Sequence, residues 1–186
     1  MKKLLVAAFA LMLLANSATA QKFYTKNATF SFDGTADKSP ESIKASCNTS
    51  TVVVDAASGK VEASVQIKGF HFKNALMESH FNENYIQSAK FPKATFNGAI
   101  EGWKSEFLKK DGNVNVIIKG TMTMHGVTKT VESRGVVTIK GGAIVGGTAS
   151  FVIALADYQI EVPAQNLNTI SKKVKIEIKM ADMKRM

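Results

Sequence analysis

The feature that most constrains this chain is a two-residue rhythm that recurs along most of its length. KVEASVQIK sets Val61, Ala63, Val65 and Ile67 on one side and charged or polar residues on the other. NVNVIIKGTMTM does the same with Val114, Val116, Ile118, Met122 and Met124, and KVKIEIKM with Val174, Ile176, Ile178 and Met180. AIVGGTASFVIAL aligns Ala143, Val145, Gly147, Ala149, Phe151, Ile153 and Leu155. TFSFDG, STVVVD, TFNGAI and VVTIK are shorter runs of the same kind. Successive side chains of a strand point to opposite faces, so each run predicts a strand with one apolar face.

Turn chemistry separates the runs. Asp111-Gly112, between EFLKK and NVNVII, is a two-residue hairpin signal, because both residues accept positive φ. Gly141-Gly142 and Ser58-Gly59 mark two further turns. About eight strands joined largely by short turns predict an all-β antiparallel meander, closed as a barrel or folded as a sandwich. Gly98, Gly120, Gly146 and Gly147 lie inside strands, where they suit the tight bends of a closing sheet. The phase slips once: the inward positions are odd through Ile67, yet Phe70 and Phe72 are even. A bulge at Gly69 would reset the phase and keep both rings inside. Otherwise the rings lie on the outer face, beneath the segment that follows.

The N-terminus has a different character. Lys2 and Lys3 precede LLVAAFALMLLA, and Ala18-Thr19-Ala20 supplies a small-residue cleavage pattern. The apolar run falls short of the ~20 residues that span a bilayer, so a signal peptide cut after Ala20 is expected. No cysteine follows it to carry an N-terminal lipid anchor. Residues 21–186 are then expected to form one domain in the periplasm or secreted space.

Without Lys2 and Lys3 the formal charge falls from +9 to +7, and only Arg134 and Arg185 are arginines. Bidentate base readers rely on arginine, so no nucleic-acid partner is expected. The lysine excess suits a solvated surface, or transient contact with an anionic membrane surface. Cys47 is the sole cysteine, which excludes an internal disulfide. It shares a strand face with Ile43 and Ala45, so a buried thiol is expected.

NALMESHFNENYIQSAKFPKATFN, residues 74 to 97, breaks the rhythm. Read as a helix over 75–87, it gives an i, i+4 stripe of Met77, Phe81 and Tyr85 with Leu76 alongside. Asn74 is the expected N-cap, Glu78 suits the first turns, and Phe91-Pro92 forces a return to extended chain. His80 beside Glu78 and Glu83 invites thoughts of acid–base or metal chemistry. However, His71, His80 and His125 include no pair at metal-ligand spacing. Met122, Met124 and His125 have the softness for copper. Both methionines fall on the apolar face of a strand, as core or cavity lining would. No nucleophile elbow, phosphate loop or triad signature occurs, so no enzyme, cofactor or metal is expected. A short helix with one aromatic stripe can instead close one end of a barrel, over an interior that is either packed or left as an apolar pocket.

Three segments carry a resemblance. FHFKNALMESHFNENYIQSAKFPKATFNG resembles the hallmark segment of the YceI-like family, GTMTMHGVTKTV its second signature, and FVIALADYQIEVP with SKKVKIEIKM its closing strands. The matches run in register over residues 70–180, the N-terminal third matching loosely, and Thr130 stands where the family usually has proline. The resemblance implies a lipocalin-like eight-stranded antiparallel β-barrel with one short helix capping an end. It also implies an exported protein that binds a polyisoprenoid or other long-chain lipid non-covalently. Inward phase and the helical stripe then nominate Phe70, Phe72, Leu76, Met77, Phe81, Tyr85, Phe96, Val116, Ile118, Met122, Phe151, Ile153, Ile176 and Ile178 as cavity residues. The alternative is an exported structural or stress-related interaction module with a packed barrel and no ligand. A dimer is as compatible with this pattern as a monomer.

Overall fold

The computed structural model describes residues 21–186; the expected leader lies outside them. Ten strands form: β1 (Lys22–Thr35), β2 (Lys44–Asp55), β3 (Lys60–Gln66), β4 (His71–Phe72), β5 (Lys93–Ile100), β6 (Gly112–Met124), β7 (Val127–Lys140), β8 (Ala143–Ala154), β9 (Ile170–Met180) and β10 (Lys184–Arg185). One short helix, α1 (Ala75–His80), lies between β4 and β5. Eight strands pair in the cyclic order β1-β2-β3-β5-β6-β7-β8-β9, and β1 closes the ring by pairing with both β2 and β9. Every pairing is antiparallel, as an up-and-down meander requires. The expected capped eight-stranded barrel is therefore the fold.

Alternation along antiparallel strands sends successive connections to opposite ends. Segments 56–59, 101–111 and 141–142 sit at one end, here the turn end. Segments 36–43, 67–92, 125–126 and 155–169 sit at the other, the cap end, so both long connections share it.

Two local expectations change. Most of EFLKK lies in a 3-10 turn, Ser105–Lys109, so Asp111 leads into β6 at Gly112 and the pair does not join two strands. Asp111 finds another use: its carboxylate accepts the Gly141 N–H at 2.8 Å, tying two turns together. In β8 the inward face shifts below Gly147, because the register with β7 slips between Thr138 and Ile139. Ile144, at 1% exposure, is the buried residue there, where alternation nominated Ala143 and Val145. A bulge moves every side chain before it to the opposite face.

The turn end is packed. Phe23, Val54, Val61, Ile100, Ile139, Ile144 and Met180 are all buried there. Trp103 reaches in from the β5–β6 connection and donates from Nε1 to the Ala56 carbonyl at 2.9 Å. It crosses Gly59, where an added Cβ would come within 2.6 Å of the Trp103 Cβ. Midway up the barrel Gly98 faces Gly120 across β5 and β6, and the Phe96 ring lies over both. A Cβ at Gly98 would stand 2.3 Å from the Lys119 carbonyl oxygen, so this close approach requires glycine.

Candidate functional site

The phase slip around Gly69 builds one wall of the site. β3 ends at Gln66, and a 3-10 turn, Ile67–Gly69, carries the chain across to β2, where β4 pairs Phe72 with Ala45. This turn does the work expected of a bulge: Phe70 and Phe72 both point inward. They meet Phe32 of β1 and Phe81 beyond α1, with ring centroids 5.2 to 6.1 Å apart. Four phenylalanines from three chain segments thus form a continuous aromatic surface, in the offset and edge geometries rings favour.

The cap follows the pattern in its sequence. Asn74 caps α1, its Oδ1 accepting the Leu76 N–H at 2.8 Å. Glu78 Oε2 accepts the Phe72 N–H at 3.1 Å, while its other oxygen lies 3.5 Å from His71 Nδ1. After His80 the helix widens into a π turn, Phe81–Tyr85, closed by Ile86 N–H donating to the Phe81 carbonyl at 2.9 Å. The extra residue per turn keeps Phe81, Tyr85 and Ile86 on the barrel side together. It also ends the helix two residues before the predicted Gln87, which takes φ 49°.

The second long connection completes the cap end. Above Arg134 and Ser150 the ladder between β7 and β8 stops, and β8 continues with β9 alone. Leu155–Tyr158 folds over as a 3-10 turn and buries Tyr158. The Tyr158 carbonyl accepts from His125 Nδ1 at 2.8 Å, which fixes the proton on that nitrogen, since a carbonyl only accepts. His125 takes φ 52° in the β6–β7 turn and packs edge-on to Phe91. Burial pushes the Tyr158 hydroxyl up to about 12, with Asp157 adding to it. The connections on either side of the mouth are joined where Asn166 Nδ2 donates to the Tyr85 hydroxyl at 2.7 Å.

These walls enclose a cavity of about 350 Å³ under the cap. Its lining is apolar apart from a rim containing Glu41, His80, Tyr85, Asn166 and Thr169, and it includes no lysine or arginine. Among the nominated residues, Phe70, Phe72, Met77, Phe81, Tyr85, Ile153 and Ile176 line it. Val116, Ile118 and Met122 are buried in the packed core outside the lining, and Phe96, Phe151 and Ile178 pack against that core. Leu76 is 62% exposed, because the stripe turns only its Met77–Phe81–Tyr85 edge inward. Sequence reasoning missed Phe30, Phe32, Leu155, Ile160 and Ile170. The alternation of TFSFDG could have nominated the first two and that of AIVGGTASFVIAL Leu155; Ile160 lies in a connection with no periodicity to read, and Ile170 opens β9 just beyond it. Cys47 is buried as expected, accepting from the Ser50 hydroxyl at 3.5 Å. The three histidines are separate: His71 beside Glu78, His80 on the rim, His125 under Tyr158.

Comparison with known proteins agrees with this geometry. A UPF0312 protein of Shewanella oneidensis is 26% identical over 170 residues, covering 89% of this chain and 74% of that protein. A polyisoprenoid binding domain from Saccharophagus degradans, implicated in plant cell wall breakdown, superposes with a TM-score of 0.70 at 14% identity, over 87% of this chain and 97% of that one. Burkholderia cenocepacia BcnA superposes at 0.62 with 15% identity, over 82% and 94%. At such identities the superpositions establish the fold. The family model for the YceI-like domain matches residues 13–181, nearly the whole chain. The chain belongs to the YceI-like family.

Proposed function

We propose that this is an exported lipid-binding protein that holds a polyisoprenoid or similar long-chain amphiphile non-covalently in the cavity under its cap. The observation that carries this reading is the cavity itself: about 350 Å³, walled by aromatic and aliphatic side chains, with polar groups gathered at the rim. Such a lining suits a hydrocarbon chain far better than a polar substrate. Phe70, Phe72, Met77, Phe81, Tyr85, Ile153 and Ile176 are its proposed contacts. Each buried methylene contributes about 0.8 kcal/mol. A dozen carbons therefore contribute about 10 kcal/mol, against roughly 4–15 kcal/mol for association, so the chain must be long to bind well. The similarity to a polyisoprenoid binding domain supports the same reading. Residues 1–20 act as the export leader on this account, and 21–186 as the single functional domain.

Native mass spectrometry of the gently purified protein tests the proposal. A retained or added isoprenoid alcohol or quinone should appear as a stoichiometric complex that Phe81→Trp, by filling the cavity, abolishes. A protein that stays empty with every such lipid sinks the idea and leaves the packed interaction module as the better account.

A further inference from the structure

The rim narrows the class of ligand. We propose that the cavity selects an amphiphile of about a dozen chain carbons whose head is uncharged and hydrogen-bonding, and that Glu41 is the residue that rejects anionic heads. The inference rests on the lipid-binding reading above and goes beyond it.

The depth of the cavity and the reach of an extended chain set the chain length. Along β9 the lining runs from Ile170 to Ile176, while Ile178 lies outside it. Six residues of strand span about 20 Å, and a barrel tilt of roughly 40° shortens this to a depth of about 15 Å. A fully extended chain advances about 1.2 Å per bond, so a depth of about 15 Å takes about a dozen carbons. Below that depth Val116, Ile118 and Met122 are buried in packed core outside the lining.

Charge sets the head. A chain inserted tail-first to that depth leaves its head among Glu41, His80, Tyr85, Asn166 and Thr169. Binding sites for phosphate or carboxylate supply arginine, lysine or a ring of backbone N–H groups; this lining offers neither arginine nor lysine and, apart from His80, its one ionisable side chain at neutral pH is the Glu41 carboxylate. The surroundings reinforce it. The four connections at the cap end carry four lysines and six carboxylates, although the chain is basic overall. The positive excess therefore lies on the barrel wall, away from the mouth. A phosphorylated head placed there meets net negative charge in a half-dehydrated setting, where repulsion is poorly screened. An alcohol or quinone-like head meets the Tyr85–Asn166 pair and the Thr169 hydroxyl, which both donate and accept.

Isothermal titration of the protein with farnesol and farnesyl phosphate, which share one chain, separates the possibilities at pH 8, where the phosphate is close to dianionic. Farnesol should bind at least tenfold more tightly than its phosphate. Glu41→Lys should bring the phosphate within threefold of the alcohol. Geraniol should bind more weakly than farnesol, and geranylgeraniol no more tightly. Phosphate binding as tight as the alcohol, or affinity that keeps rising to geranylgeraniol, overturns the inference while leaving lipid binding intact. Failure of every alcohol in the series removes the lipid-binding reading itself.

Discussion

The two ends of this barrel are made from the same alternating strands and are built to opposite purposes. At the turn end, connections as short as Gly141-Gly142 hold neighbouring strands together, and Trp103 fills what space remains. At the cap end, segments 67–92 and 155–169 span the opening and leave a cavity beneath them. Alternation decides which side chains face inward; the connections decide whether the inward space is filled. A short turn forces adjacent strands to stay paired to their ends. A long one lets β8 leave β7 above Ser150 and lets β4 replace β3 beside β2.

The sharpest way to break this contrast is to cut matched holes at both ends. Ile144→Ala in the packed end should cost about 3–4 kcal/mol in chemical denaturation, as transfer and cavity costs add. Phe81→Ala removes a larger side chain but from a surface that already faces empty space, and should cost about 1–2 kcal/mol. Equal losses would mean that the cap end is packed as well.

At alkaline pH the Tyr158 hydroxyl reports on the cap end. The Tyr158 hydroxyl titrates at about 12 when folded and near 10 when unfolded. Its folded value is raised, so its contribution is fully present below pH 10 and is lost as pH climbs through 12. The loss is about 2–3 kcal/mol, read as a falling denaturation midpoint. Tyr158→Phe should flatten that fall, because the buried hydroxyl has no protein partner among the described residues. An unchanged alkaline profile in the variant would place the effect elsewhere.

The turn end has a counterpart at acid pH. Asp55 Oδ1 accepts the Ala57 and Ser58 N–H groups at 2.9 and 3.2 Å. Slight burial pushes this carboxyl up, but those bonds outweigh it and hold it below its ordinary value. Its contribution is therefore present above the unfolded carboxylate range and disappears as pH falls through the depressed folded value. Asp55→Ala should cost about 1 kcal/mol near neutrality and nothing at strongly acid pH. The smallest effect belongs to the tie across the mouth. Tyr85→Phe should change global stability by less than about 1 kcal/mol, yet quicken amide hydrogen exchange in 155–169. Exchange that is unchanged there would show that the Asn166 contact does not hold the two connections together.

How far the molecule was legible in its residues follows the same division. Strand faces in β3, β6 and β9 could be read directly, since each is decided by neighbours one and two residues away. Asn74 as a cap and Met77, Phe81 and Tyr85 as an inward edge were equally local. By contrast, EFLKK carries no mark that separates a 3-10 turn from a strand before a hairpin. The shift at Ile144 depends on how β8 registers against β7, which is a property of two strands together.

The sequence by itself determined an antiparallel barrel, the side of most strands that faces inward, and the aromatic cap over one end. Only the tertiary structure decided how deep the cavity runs and what rims it. Ile176 and Ile178 share one alternating face of β9, yet only Ile176 reaches the void, and Phe151, paired directly opposite Ile176, packs against the core outside it. The facing walls of the barrel, and not a strand's own alternation, decide which inward side chains meet empty space. Glu41, Tyr85 and Asn166 come from three connections far apart in the chain, and no local pattern could place them at one mouth.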